Sequence, residues 1–173
     1  GDFSDQISNN NRGYVFYTKL FPAIMQGDNA HKSVIEALDR ICLHEEKFDA
    51  VVIIRGGGAT TDMLAFDDYE LASCVAQFPL PVISGIGHER DESVVDLVAN
   101  TRCKTPTAVA AFLIERAMLA EETLNSGSAM LTDLVTRRLT NEKLRMNNVE
   151  SALSRSAKLH LKQEEASLTD MKS

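Results

Sequence analysis

Residues 48–58 read Phe48-Asp49-Ala50-Val51-Val52-Ile53-Ile54-Arg55-Gly56-Gly57-Gly58. From Val51 to Ile54 every residue is apolar and β-branched, and the run stops at an arginine followed by glycines. A strand with one face in water alternates apolar and polar residues, whereas a strand buried on both faces of a parallel sheet does not. These residues therefore predict an inner strand, and the glycines a tight turn out of it. Downstream, Thr61 or Asp62 is placed to cap a helix running to about Phe78. Pro79–Ser84 (PLPVIS) is a second apolar run and ends in Gly85-Ile86-Gly87-His88. Ser93–Ala99 reads as a short helix. Upstream, Tyr14–Ala23 (YVFYTKLFPA) is aromatic and β-branched and predicts another strand. Gly27-Asp28-Asn29 predicts a turn and cap, and Val34, Ile35, Leu38, Ile41 and Cys42 give residues 30–46 a helical spacing. Strand, helix, strand, helix, strand defines the fold class: α/β, an open, parallel-rich sheet with flanking helices. In such sheets the ligand site lies beyond the carboxyl ends of the strands.

From Thr107 the chain changes character. It holds no proline and a single glycine, Gly127. Leu124, Leu131, Val135, Leu139, Met146, Val149, Leu153, Leu161, Leu168 and Met171 follow spacings built from threes and fours. This predicts one or two long amphipathic helices with a coiled-coil-like seam. Asn125-Ser126-Gly127-Ser128 is the weakest point of that run. The expected division is residues 1–106 as the α/β domain and 107–173 as a helical arm.

The 173 residues carry a net charge of −7. All of it resides in residues 1–112, with 9 Lys+Arg against 16 Asp+Glu; residues 113–173 hold 9 of each. Phosphate contacts supply much of a protein's nucleic-acid affinity, so an acidic domain that acts on nucleic acid needs another domain or subunit to hold the strand. Cys42, Cys74 and Cys103 are too few and too scattered for a disulfide framework or a Cys-x-x-Cys metal site, and fit free thiols in a reducing cytoplasm. No run approaches the length of a membrane span, and the start lacks the basic-then-apolar pattern of a signal peptide. The absence of an initiator Met and the uncapped end suggest a segment of a longer chain.

Two segments carry candidate chemistry. In Arg55-Gly56-Gly57-Gly58, glycines let backbone amides approach an anion, and the guanidinium offers two-point binding to a phosphate. The pattern is neither a dinucleotide fingerprint nor a P-loop, since Thr61 stands at the third glycine position and no Gly-Lys-Ser/Thr follows. In Gly87-His88-Glu89-Arg90-Asp91, an imidazole that titrates near neutrality has carboxylates beside it to orient it, which suits proton transfer. The plain alternatives are a tight strand-to-helix turn and an ordinary charged loop; two such segments at one sheet edge favour a site. Thr101-Arg102-Cys103-Lys104-Thr105-Pro106-Thr107 adds two basic residues and a good helix start, with Pro106 in the first turn. His31, His44 and His160 sit in polar helical surroundings.

Together these blocks resemble the large subunits of exodeoxyribonuclease VII. The resemblance covers most of residues 1–116, with its specific core at 49–116. It rests on Arg55 to Gly58 with Asp62 and Phe66, then Gly87, His88, Glu89 and Asp91, then Asp96, Arg102, Thr105 and Pro106. It implies a hydrolase of single-stranded DNA, an exonuclease of the kind used in DNA degradation and repair, with Arg55, His88 and Asp91 as functional residues. A further family aspartate matches Asp2. It also implies an OB-fold domain that binds single strands, not found in these residues, and a helical region that binds several copies of a small subunit. Residues 107–173 resemble the beginning of that region. Where many relatives have Ser after the glycines this chain has Ala59, and Thr60 or Thr61 stands near enough in sequence to supply the hydroxyl.

The expected mechanism has Gly56, Gly57, Gly58 and Arg55 holding the scissile phosphate, with Arg102 near it. His88 transfers a proton, Asp91 orients His88, and Asp2 assists as a base. No two-metal carboxylate cluster stands out, while Glu89, Asp91, Glu92 and Asp96 offer ligands for one Mg²⁺. The competing readings are a nucleotide- or phosphate-binding module without hydrolysis, and a pure assembly subunit with the helical arm as its function; under every reading the exposed seam of these residues is expected to self-associate. Convergence of Arg55, His88 and Asp91 on one cleft separates the first reading from both.

Overall fold

A computed structural model describes residues 1–55, 60–86 and 92–170, with backbone alone at 60–62 and 168–170. Two compact units divide it, Gly1–Leu119 and Ala120–Ser173. The first holds a parallel sheet of three strands, β1 (Val51–Ile54), β2 (Val82–Gly85) and β3 (Thr101–Arg102), in that spatial order. Around it stand α1 (Asp2–Ser8), α2 (Ala30–Cys42), α3 (Tyr69–Ala76), α4 (Val94–Val98) and the start of α5 (Pro106–Asp170).

The two apolar runs form β1 and β2 and pair in parallel from Val51↔Val82 to Ile54↔Gly85. Every residue of β2 is buried, as its place between two neighbours requires. Val34, Leu38 and Ile41 of α2 and Leu71 and Val75 of α3 join Val51, Ile53, Val82 and Phe66 in one core. Each fully buried side chain of this size contributes about 1.5–3 kcal/mol.

Three local expectations give way. Tyr14–Ala23 is not a strand; the third strand is Thr101–Arg102, read from sequence as a loop. Strand propensity is realised only against a neighbouring strand, and here the segment's backbone bonds elsewhere. Tyr14 N donates to Asn10 Oδ1 at 3.0 Å, and Pro22 O accepts from Arg40 Nη2 of α2 at 3.1 Å. Phe21, Ala23 and Met25 still pack on the core, with Phe21 edge-on to Phe48, while Val15, Tyr17 and Leu20 face solvent. The helix expected from Thr61 to Phe78 is a 3₁₀ segment, Thr60–Phe66, followed by α3. The side chain that caps α3 is Asp68, which accepts from Leu71 N at 3.0 Å. Residues 30–46 form α2 and a separate 3₁₀ turn, Glu45–Lys47.

α5 starts as its sequence suggests. Pro106 occupies the first turn and Thr105 Oγ1 accepts from Ala108 N at 3.1 Å. Val109 and Ala110 are fully buried in the first unit. The helix passes through Asn125–Ser128 without a break. In the second unit Leu124, Leu131, Val135, Leu139, Met146, Val149, Leu153 and Leu161 are all exposed. Among the described residues no helix is long and apolar enough to cross a membrane.

Candidate active site

The register of β1 and β2 decides the geometry. Ile54 and Gly85 are paired, each the last residue of its strand. Neighbouring strands lie about 4.8 Å apart. Arg55 and Ile86 therefore leave the sheet side by side at the carboxyl edge, and each begins one of the two candidate segments.

Arg55 is only 6% exposed. Its Nη1 donates to Met63 Sδ at 3.2 Å, a bond that spans the base of the 56–62 connection. Gly56, Gly57 and Gly58 lie outside the described residues, as do His88 and Asp91. What the structure describes is the pair of strand ends that lead into these segments, Ile54 beside Gly85. Arg102 stands on β3 and forms an ion pair with Glu92. Asp2 lies in the first turn of α1, is exposed, and makes no side-chain hydrogen bond or ion pair among the described residues.

The connection between β2 and α4 is held at its far end by three successive residues. Glu92 pairs with Arg102 of β3. Ser93 caps α4, with its Oγ accepting from Asp96 N at 3.2 Å and Asp96 Oδ2 accepting from Ser93 N at 3.2 Å. Val94 N donates to Asp67 Oδ1 at 2.9 Å, reaching the junction before α3.

Sequence reasoning missed the most buried polar group here. Asp96 is 2% exposed, Ser93 1% and Ser84 0%. Ser84 Oγ donates to Asp96 Oδ1 at 2.6 Å and Ser93 Oγ to Oδ2 at 2.9 Å. Both carboxylate oxygens accept hydrogen bonds within the buried interior. The Ser93-x-x-Asp96 spacing signals the capping box; nothing local in sequence signals the bond to Ser84. Among the described residues no group of three or more His, Cys, Asp or Glu side chains is placed to hold a metal.

Gly85 has a packing reason. A Cβ there would lie 2.6 Å from Val109 Cγ2, 3.1 Å from Ile54 Cγ2 and 3.3 Å from Thr105 O. The start of α5 thus presses against the end of β2, next to the candidate edge. A groove of about 400 Å³, lined by Pro81, Ile83, Asn100, Thr101, Phe112, Leu113 and Arg116, lies toward the amino ends of β2 and β3.

These features define the class: a parallel α/β domain with two neighbouring strand-end connections, one glycine-rich and one bearing histidine. The family described as exonuclease VII, large subunit, matches residues 1–173, and the chain belongs to that family. It is 43% identical over 93 residues to the exodeoxyribonuclease 7 large subunit of Lactobacillus helveticus, covering 54% of this chain and 21% of that protein. With the same subunit of a Cyanothece species it shares 44% over 91 residues, 53% of this chain and 21% of the relative. With that of a Synechococcus species it shares 35% over 142 residues, 81% of this chain and 36% of the relative. The chain thus spans about a fifth to a third of the length of these relatives.

Proposed function

We propose that this chain is the catalytic core of an exonuclease that hydrolyses phosphodiester bonds in single-stranded DNA. The observation that carries the reading is the Ile54↔Gly85 register, which starts the Arg55 and His88 segments from adjacent strand ends. Family membership supplies the reaction class. Arg55 and the amides of Gly56, Gly57 and Gly58 hold the scissile phosphate and offset the charge that develops on it. His88 transfers a proton to the leaving oxygen or from water, Asp91 orients the imidazole, and Asp2 assists as a base. Arg102 exchanges Glu92 for a phosphate of the bound strand. A Mg²⁺ ion at this edge would draw on Glu89, Asp91 and Glu92.

Residues 1–106 are the catalytic domain in this proposal, and residues 107–173 begin an arm that binds the family's small subunit through its apolar seam. The setting is cytoplasmic, in keeping with the free thiols Cys42, Cys74 and Cys103. The test is a nuclease assay of the full-length large subunit assembled with its small subunit, on an end-labelled single-stranded oligonucleotide, with and without EDTA. Release of short products supports the reading, and the EDTA arm reports metal use. Tight binding of the strand without cleavage would favour the phosphate-binding module instead.

A further inference from the structure

Resting on the reading above, we propose that Asp96 is a positioning residue for catalysis: it ties Ser84 to Ser93 and so fixes both ends of the segment that carries His88. A capping box requires only the Ser93–Asp96 pair, which uses Oδ2. The 2.6 Å bond from Ser84 Oγ engages Oδ1 with the middle strand of the sheet, one residue before Gly85. Ser84 is itself fixed, because its carbonyl accepts from Cys103 N at 2.8 Å and its register partners are Ile53 and Arg102. Asp96 therefore closes the chain from residue 84 to residue 93 onto itself at its base.

Stability alone does not account for this choice. Burying a carboxylate and two hydroxyls is costly even when all are bonded, and apolar residues of similar volume commonly serve a core as well or better. α4 is five residues long and already packs Val95 fully buried. What the polar cluster adds is a fixed distance between β2 and the start of α4. Val94 N, next to Ser93, is bonded to Asp67 at 2.9 Å and ties the same point to the junction before α3. The chain is thus anchored at Ser84 before His88 and at Ser93 after it; proton transfer depends on such placement, since a misplacement of about 1 Å can cost about 10²-fold in rate.

The test uses the full-length large subunit assembled with its small subunit. Asp96→Ala should lower kcat by about ten-fold or more, with KM for a single-stranded oligonucleotide unchanged within about two-fold. Asp96→Asn, which still accepts from Ser93 and donates an amide hydrogen to Ser84 Oγ, should restore most of kcat. Ser84→Ala removes the β2 tie but leaves the capping box and keeps the test valid if Asp96→Ala does not fold; it should show the same selective loss of kcat. A folded Asp96→Ala or Ser84→Ala protein with wild-type kcat overturns the proposal, as does a loss of kcat and strand affinity together. His88→Ala is the control: full activity in that variant removes the catalytic reading itself, whereas an inactive His88→Ala beside an active Ser84→Ala removes only the role of Asp96.

Discussion

Gly85 shows how closely the site's surroundings are packed. The methyl of Gly85→Ala would meet the fully buried Val109 at 2.6 Å, with Thr105 backbone at 3.3 Å behind it. Such overpacking costs about 1–3 kcal/mol. A lower midpoint in urea unfolding with an unchanged slope is the expected result. The thiols give a second reading of local environment. Burial pushes the Cys74 thiol up, with Asp39 and Glu70 adding to it, and burial pushes Cys103 up as well. A raised value means less thiolate at a given pH, so at pH 8 iodoacetamide should modify exposed Cys42 first, and the rates at Cys74 and Cys103 should keep climbing into more alkaline buffer. Cys74 reacting as fast as Cys42 would contradict this. At the residue scale the starts of α4 at Ser93 and of α5 at Thr105-Pro106 were legible, because each depends on neighbours along the chain. The Asp96–Ser84 bond was not legible, because Ser84 lies twelve positions away and meets Asp96 only once β2 and α4 have packed.

Among the elements, strands β1 and β2 were readable from the apolar runs Phe48–Ile54 and Pro79–Ser84. A parallel strand covered on both faces leaves little room for polar residues. Tyr14–Ala23 misled because its aromatic and β-branched composition describes a surface suited to a sheet, while pairing depends on which strand lies beside it. Thr101–Arg102 escaped notice for the opposite reason, since two residues carry no periodicity. In α3 the competing caps were local, and Asp68 prevailed where the chain turns between Phe66 and Tyr69. The long helix offers a clean test. Nothing lies within 4 Å of a Cβ added at Gly127. Gly127→Ala should therefore strengthen α5 by about 1 kcal/mol, seen as a higher thermal midpoint at 222 nm. A lower midpoint would mean that another backbone approaches α5 closely at Gly127.

For the whole molecule, charge and exposed apolar surface set the behaviour. Residues 1–112 are acidic, and the second unit presents Leu131, Val135, Leu139 and Leu153 to solvent. The 173-residue chain by itself should bind single-stranded DNA weakly at physiological salt, since phosphate neutralisation dominates such affinity. Its exposed seam should make it larger than a monomer by light scattering. A sub-micromolar dissociation constant for a labelled oligonucleotide would show that the strand-binding surface is here after all, and a clean monomer would show that the seam needs no partner. If the two strand-end segments form one hydrolytic site, His88→Ala in the full-length large subunit assembled with the small subunit leaves oligonucleotide binding close to wild type and slows cleavage by about 10²–10⁴-fold when both are measured side by side; cleavage at the wild-type rate would show that His88 takes no part in the reaction.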